Sequence, residues 1–150
     1  MEKEKEVLSF FNKTKKNIIS LYGNKGLDNY QMDEIGKKYL GNKFKGVYAV
    51  DNLLFKPGLY IVNTDKANKP GVHWIAVKQT KTTIYIYDSF SRKSSKILKI
   101  LYDKAIKKGL KIIDVNFERD QYDKSELCGP ISLSWLITVN NFGIKYRYVI

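Results

Sequence analysis

The only histidine and the only cysteine of this 150-residue chain each lie in a short motif that could carry out chemistry. His73 stands in the run Gly-Val-His-Trp, and Cys128 is followed directly by Gly129 and Pro130. A thiol beside an imidazole is the nucleophile and general base of cysteine hydrolases. If the protein is such an enzyme, the sequence offers it one nucleophile and one base.

A predicted β-hairpin places an acid beside His73. Apolar residues alternate with others after His73 and again over residues 84–87, which are followed by Asp88. The two stretches predict the strands of a hairpin. A hairpin that is symmetric about Thr80 and Lys81 puts residue 73 directly opposite residue 88, where Cβ atoms lie roughly 5 Å apart. Asp88 is therefore the predicted partner that orients the imidazole and stabilises its charged form.

The sequence around Cys128 predicts that this thiol lies at the beginning of a buried helix. Residues 129–139 are apolar nearly all round a helix, as in the middle of a domain. Pro130 suits the first turn, where its missing N–H costs nothing. At that end of a helix, unpaired backbone N–H groups and the helix dipole favour thiolate over thiol. A lone buried cysteine is usually a small apolar side chain, but a core cysteine has no need to precede Gly-Pro.

A lone histidine near apolar residues is also more often structural than catalytic. With an acid across a hairpin and a cysteine at a helix start, however, His73 completes a Cys, His, acid set for nucleophilic acyl transfer. Gln121 could then donate its side-chain amide to the developing oxyanion beside the Cys128 N–H, which is typically worth roughly 3 kcal/mol. By itself, Gln121 would be interpreted as a surface loop residue.

Length and composition predict one soluble domain over residues 1–150. With 43% hydrophobic residues, the chain is long enough to bury a core. Its apolar runs are far shorter than a membrane span, and its first residues, Met-Glu-Lys-Glu-Lys-Glu, lack the apolar part of a secretion signal. We therefore expect an intracellular, non-secreted protein with no membrane partner. A single cysteine cannot form an internal disulfide, and one cysteine with one histidine cannot form an ordinary structural zinc site, so no metal is expected.

The net charge of +12 favours association with polyanions such as nucleic acid, although a Lys- and Asn-rich composition can also reflect an AT-rich genome. Residues 92–111 carry eight basic residues and one acid, and their apolar positions follow helical spacing. A solvated helix face is the default interpretation, and a nucleic-acid-binding surface is the alternative. The lysines that cluster opposite the apolar stripe are Lys93, Lys96, Lys104, Lys107 and Lys111.

Periodicity and turn residues predict an α+β organisation for the whole chain. Helices are predicted over residues 6–21, 29–39 and 94–108. Short strands are predicted over residues 47–50, 59–62, 111–117 and 146–150, in addition to the hairpin over residues 72–88.

Three blocks of this sequence resemble the active-site blocks of adenain, the maturation cysteine protease of adenoviruses. They occur in the same order and at closely similar spacing, over about the second half of the chain. The blocks are Gly71-Val72-His73-Trp74-Ile75-Ala76, the run Ile84-Tyr85-Ile86-Tyr87-Asp88-Ser89-Phe90, and Gln121 followed after six residues by Cys128-Gly129. The resemblance implies Cys128 as nucleophile, His73 as base, Asp88 as orienting acid and Gln121 in the oxyanion hole. Asp88 stands where the adenovirus pattern has Glu, and related proteases of this fold also use Asp.

The resemblance also implies a fold and a biological role. The fold shared by adenain and SUMO-type proteases has a central, mostly antiparallel sheet, with the nucleophile at the N-terminus of a buried helix. The stretch over residues 29–48 is similar to proteases of virophages and Polinton-type elements, and the Lys, Asn and Ile bias favours a Mavirus-type virophage. Such proteases cleave capsid or scaffold precursors during maturation, often beside small residues such as glycine, inside the virion or the viral factory of the host cell. Trp74 and Gly129 are then expected to contact the substrate, with Trp74 as core or pocket wall.

Adenain is stimulated by DNA and by a peptide that attaches through a disulfide. Here the only thiol is the predicted nucleophile, so a disulfide-linked activator would consume the active site. We therefore expect a monomer that requires no cofactor and has no covalent peptide activator. The basic segment leaves non-specific association with viral DNA, and stimulation by it, as an expectation.

Three other functions fit parts of the sequence. A deconjugating peptidase for ubiquitin-like proteins shares the order His, Asp, Gln, Cys-Gly, although its Gln and Cys tend to be one residue closer together. A basic nucleic-acid-binding protein without catalysis would leave His73 and Cys128 structural. An acyltransferase could use a similar triad and transfer the acyl group to Ser, Thr or Lys. The protease alone accounts for all three blocks.

Overall fold

The computed structural model describes residues 2–23, 26–65, 73–90, 92–115 and 127–148. Within these ranges the chain forms an α+β fold with five α-helices and one five-stranded sheet. The helices are α1 (Glu2–Tyr22), α2 (Asn29–Leu40), α3 (Ser94–Ile97), α4 (Lys99–Lys107) and α5 (Cys128–Phe142). The strands are β1 (Phe44–Ala49), β2 (Gly58–Asn63), β3 (Trp74–Gln79), β4 (Thr83–Tyr87) and β5 (Lys111–Asp114).

The predicted first two helices, the four predicted strands before residue 90 and the buried helix after Cys128 are confirmed. The basic segment differs from the prediction, because the backbone turns at Leu98 and divides it into α3 and α4. Leu98 has a ψ of 42° and a fully buried side chain, so its side chain stays in the core where the helical backbone is interrupted.

Residues 146–148, the described part of the strand predicted over residues 146–150, do not form a strand. A 3-10 helix over Ile144–Tyr146 and a following turn occupy this region, up to residue 148. Arg147 closes the turn, because both its backbone N–H and its guanidinium donate to the carbonyl oxygen of Ile144. Residues 149 and 150, like residues 116 and 117 of another predicted strand, lie outside the described ranges.

The sheet is mixed, which corrects the expectation of a mostly antiparallel one. Its strands follow the order β1-β2-β3-β4-β5, and β2, β3 and β4 pair antiparallel. Both edge strands pair parallel with their neighbours, β1 with β2 and β5 with β4. A parallel pair requires a crossover between its strands. The helices α3 and α4 provide the crossover between β4 and β5, and residues 50–57 provide the one between β1 and β2.

The hairpin turns one residue later than predicted. The backbone N–H of Thr80 donates to the carbonyl oxygen of Thr83 at 2.8 Å, so the loop consists of Lys81 and Thr82. The Thr80 hydroxyl stabilises this loop, because it accepts hydrogen bonds from the backbone N–H groups of Thr82 and Thr83.

The later turn changes the register of the hairpin by two residues. Ala76 pairs with Tyr87, and this register, continued to the strand ends, puts residue 73 opposite residue 90. The prediction that residues 73 and 88 lie directly opposite is therefore wrong. Because side chains alternate with a period of two, the shift leaves every side chain on its predicted face of the sheet.

Alternate side chains of the sheet pack into two separate apolar layers. One layer joins the sheet to α5, α1 and α2, and α5 lies in its centre with residues 128–139 all buried. The other layer joins the opposite face of the sheet to α3, α4 and the crossover over residues 50–57. No helix within the described ranges is both long and apolar enough to cross a lipid bilayer.

Gly36 of α2 allows close packing of the helix on β1. A Cβ added at Gly36 would overlap the Phe44 ring, and Phe44 is buried. We expect Gly36→Ala to lower the free energy of unfolding by about 1–3 kcal/mol, despite alanine's greater helix propensity. Urea unfolding measures this, with Gly26→Ala as the control because no atom lies within 4 Å of a Cβ at Gly26. A more stable Gly36→Ala variant would contradict the packing described here.

Candidate active site

Three elements meet at the site and each contributes one predicted residue. His73 directly precedes β3, Asp88 directly follows β4, and Cys128 is the first residue of α5. The ends of the two hairpin strands lie together because the strands pair antiparallel. The buried helix α5 packs against β3, which brings its N-terminus to the same place.

His73 and Asp88 form a short hydrogen bond in the protein interior. The imidazole Nε2 lies 2.6 Å from Asp88 Oδ1, and the two side chains are only 3% and 2% exposed. In the observed register, residue 88 is the diagonal neighbour of residue 73, within reach of a long or aromatic side chain. The acid predicted from the hairpin is thus the acid that the histidine contacts, although the register is different.

Side chains of α5 fix the position of Cys128 relative to His73. The Ser132 hydroxyl, one turn after Cys128, donates to the carbonyl oxygen of Trp74 at 3.1 Å. Further along the helix, the Trp135 ring stacks on Tyr87 of β4 with centroids 5.2 Å apart. Both contacts bind α5 to the strands that carry His73 and Asp88, so the start of the helix is held beside the imidazole.

The environment of Cys128 favours the thiolate. Burial would raise the pKa of the thiol, but hydrogen bonding to His73 and the backbone N–H groups of Trp74 and Gly129 outweighs burial, and the pKa is lowered. Burial would likewise lower the pKa of His73, but hydrogen bonds to Asp88 and Cys128 outweigh it and the pKa is raised. Each shift favours the charged form of its group, so together they favour a thiolate–imidazolium pair.

The two ring nitrogens of His73 have different environments. Nε2 contacts the Asp88 carboxylate, whereas Nδ1 is buried and has no partner at full hydrogen-bond geometry among the described residues. Because Nε2 contacts Asp88, Nδ1 is the ring nitrogen that is left to interact with the Cys128 thiol. Within the described ranges, no three His, Cys, Asp or Glu side chains are grouped so that they could hold a metal ion.

Asp88 is ionised at neutral pH. Burial would raise the pKa of its carboxyl, but the hydrogen bond to His73, the charge of that ring, the Phe90 N–H and the Arg92 guanidinium lower it. A second carboxylate, Asp114, lies near it and behaves differently. Burial raises the pKa of Asp114 and the charge of Asp88 adds to this, although hydrogen bonds to Ser94 oppose both. The two acids are therefore distinct, and Asp88 alone has the imidazole as its partner.

The two residues predicted to contact substrate also have structural contacts. The Trp74 indole N–H donates to the carbonyl oxygen of Leu27 at 3.0 Å. A Cβ at Gly129 would lie 3.0 Å from the sulfur of Met32 and 3.5 Å from Leu27. The segment before α2 thus packs against both residues, and the Met32 side chain would have to shift to admit a larger residue after Cys128. Their contact with substrate stays a prediction.

Three residues of the predicted motifs lie outside the described ranges, and two residues at the site were not predicted to have a role. Gln121 and the residues Gly71 and Val72 of the histidine motif are not described. Phe90 and Arg92 contact the His–Asp pair, although the sequence indicated nothing for them individually. Phe90 is the last residue of the second block that resembles adenain, and its place in that block was the sequence feature that could have indicated a role at the site.

The five basic residues predicted to contact nucleic acid are all exposed, on three different elements. Lys104 donates to the carbonyl oxygen of Asp51 at 3.1 Å, so this lysine also holds the crossover between β1 and β2. Lys93 and Lys96 lie at α3, Lys104 and Lys107 on α4, and Lys111 at the start of β5.

Comparison of the sequence with models of known protein families and with curated proteins found no match.

Proposed function

We propose that this protein is a cysteine endopeptidase with an adenain-like fold, formed by one catalytic domain over residues 1–150. The observation that supports it most directly is the buried 2.6 Å hydrogen bond between His73 and Asp88, beside a thiol at a helix N-terminus. A structural cysteine and histidine would not require an ionised acid buried behind the ring. The lowered pKa of Cys128 and the raised pKa of His73 agree with an activated nucleophile.

In the proposed reaction, Nδ1 of His73 takes the proton of Cys128, and the thiolate attacks the carbonyl carbon of the scissile peptide bond. The imidazolium then protonates the leaving amine, and the carbon–nitrogen bond breaks to leave a thioester. In the second half, His73 removes a proton from water, whose oxygen attacks the thioester carbon. The carbon–sulfur bond then breaks, which releases the carboxylate product and restores the Cys128 thiolate beside the protonated imidazole. The Cys128 N–H and the side chain of Gln121 are proposed to stabilise the oxyanion in both halves.

The proposed substrates are viral capsid or scaffold precursors, cleaved during maturation in the virion or the viral factory of the host cell. The support for this substrate class is the resemblance of three ordered sequence blocks to the adenovirus maturation protease. The catalytic geometry itself would serve a deconjugating peptidase or an acyltransferase equally well. Trp74 and Gly129 are proposed as substrate contacts, and no cofactor or covalent activator is required.

Co-expression with candidate capsid precursors tests the substrate class. We expect new N-termini in the precursor, found by mass spectrometry, with wild-type protein and none with Cys128→Ala. A folded ubiquitin-like fusion and free Ser, Thr or Lys acceptors are tested alongside. Cleavage of the fusion alone would select the deconjugating activity, and acyl transfer without hydrolysis would select the transferase.

The activated thiol can be tested without any substrate, because all alkylation of this chain by iodoacetamide at cysteine occurs at Cys128. An unperturbed thiol, with a pKa of about 8.5, is roughly 0.3% thiolate at pH 6. Since His73 lowers the pKa of Cys128, we expect wild-type protein at pH 6 to react at least about tenfold faster than His73→Ala. Rates measured by mass spectrometry that are equal in both proteins would contradict an activated pair.

The exposed lysines of the basic segment support a second proposal, non-specific association with viral DNA. Five phosphate contacts would weaken binding by roughly 500-fold between 50 and 200 mM salt. We expect fluorescence anisotropy to show this dependence, and we expect a double Lys104→Gln, Lys107→Gln variant to have a smaller salt slope. The control is Lys13→Gln with Lys16→Gln, which removes the same charge from α1. An affinity that does not change with salt would exclude the association.

A further inference from the structure

When His73 is protonated, each oxygen atom of the Asp88 carboxylate accepts a hydrogen bond from a cationic side chain, His73 or Arg92. Oδ1 accepts hydrogen bonds from His73 Nε2 at 2.6 Å and from the backbone N–H of Phe90 at 2.9 Å. Oδ2 accepts a hydrogen bond from Nε of Arg92 at 3.0 Å. The Arg92 side chain is 40% exposed, whereas Asp88 is 2% exposed. Arg92 therefore reaches from the surface to the buried acid.

Phe90 contacts both cationic partners of Asp88. Its ring stacks on the His73 imidazole with centroids 3.9 Å apart and planes inclined by 25°. The guanidinium carbon of Arg92 lies 4.8 Å from the centroid of the same ring, within cation–π distance. The orientations of the His73 imidazole and the Arg92 guanidinium are thus coupled through one aromatic ring.

A buried carboxylate needs a positive partner at every step of the reaction, because an unpaired buried charge is costly. His73 is such a partner only while it carries two protons. Once the imidazolium has protonated the leaving amine, the ring is neutral. Arg92 stays charged throughout, because a guanidinium is not deprotonated in proteins. It can therefore keep Asp88 ionised and in place during the half of the cycle in which His73 is neutral.

We propose that Arg92 is a positioning residue, which acts with Phe90 to hold the Asp88 carboxylate ionised and oriented while His73 gains and loses its proton. This inference rests on the proposed protease function. It predicts two separable contributions, one from the charge of Arg92 and one from its planar geometry. The charge of Arg92 determines the pH at which Asp88, and with it the Cys128–His73 pair, is ionised. The planar geometry of Arg92 determines how well the His73 imidazole is oriented toward Cys128.

The variants Arg92→Gln and Arg92→Lys separate the two contributions. For Arg92→Gln we expect kcat to fall by about 10- to 100-fold with little change in KM, the effect that loss of an orienting outer-shell partner has at metal sites. We also expect the pH at which the rate of Cys128 alkylation declines on the acid side to become higher. The reason is that Asp88 is protonated more readily without the Arg92 guanidinium. Arg92→Lys should keep the wild-type pH profile but recover only part of kcat, because lysine lacks the planar stacking group.

The control is Lys99→Gln, which removes the same charge from an exposed ion pair with Asp103 and should change neither quantity. A lower kcat without a shift of the alkylation profile in Arg92→Gln would mean a merely structural role and would overturn the inference. An unchanged kcat and profile would overturn it as well. If Arg92→Gln does not fold, a wild-type kcat in Arg92→Lys overturns it. If wild-type and His73→Ala proteins have the same alkylation profile, the proposed function itself has failed instead.

Discussion

Cys128→Ala is expected to abolish hydrolysis, with a decrease in kcat on the order of 10⁶-fold, the size found when the nucleophile of a triad is removed. The physical reason is that no second thiol exists in the chain to take over the attack. Substrate binding should remain, because Ser132 and Trp135 still hold α5 against the strands when the sulfur is absent. The measurement is hydrolysis of the precursor that wild-type protein cleaves, together with binding of that precursor to the inactive variant.

Two further variants make this result specific. Cys128→Ser keeps the shape of the side chain but replaces the thiol by a much weaker acid, so it should also be inactive. Ser134→Ala changes a buried residue of the same helix, whose hydroxyl donates to the carbonyl oxygen of Pro130, and it should keep wild-type hydrolysis. Hydrolysis that survives in Cys128→Ala would remove the proposed mechanism.

Asp88→Asn is expected to lower kcat by about 10⁴-fold with the fold intact, the effect of the same change in serine protease triads. An amide can present its NH₂ group to Nε2 of His73, which then carries no proton, and Nδ1 is protonated instead. That tautomer cannot accept the thiol proton. The amide also leaves the imidazolium without a countercharge, so alkylation of Cys128 at pH 6 should fall in parallel.

Asp114→Asn is the matched control, since it changes a partly buried carboxylate near Asp88 that contacts Ser94 rather than the imidazole. Its amide oxygen can still accept from the backbone N–H of Ser94, so hydrolysis should stay within a few-fold of wild type. If Asp88→Asn retains activity while Asp114→Asn loses it, the assignment of the orienting acid is wrong. Thermal unfolding of both variants separates loss of chemistry from loss of folding.

The hairpin shows how far local pattern predicts the site. The alternation of apolar residues after His73 and before Asp88 correctly indicated two strands and the faces of their side chains, because that alternation has a period of two. The turn was placed one residue too early, since several loops of two to four residues fit the same sequence. The Thr80 hydroxyl bonds that select one of them form only in the folded turn.

The sheet shows what the local pattern could not predict, namely the parallel pairing of the edge strands. Each strand before residue 90 was predicted near its observed place, but partner and direction were predicted only for the β3–β4 hairpin. The parallel pairing of β1 with β2 and of β4 with β5 depends on crossovers that pack on one face of the sheet. Those crossovers are long-range contacts, and no periodicity within a strand records them.

By itself, the sequence determined which chemistry is available to this protein. One thiol, one imidazole and an acid at the end of a strand follow from residue types. Gly-Pro at the beginning of an apolar pattern placed Cys128 at a helix start, because backbone preferences are local. Only the tertiary structure decided which groups support them. The contacts of Arg92 and Phe90 with Asp88 and His73 join strand ends through hydrogen bonds and ring stacking. Their geometry depends on the register and on the packing of the whole sheet, which are properties of the folded chain rather than of any segment.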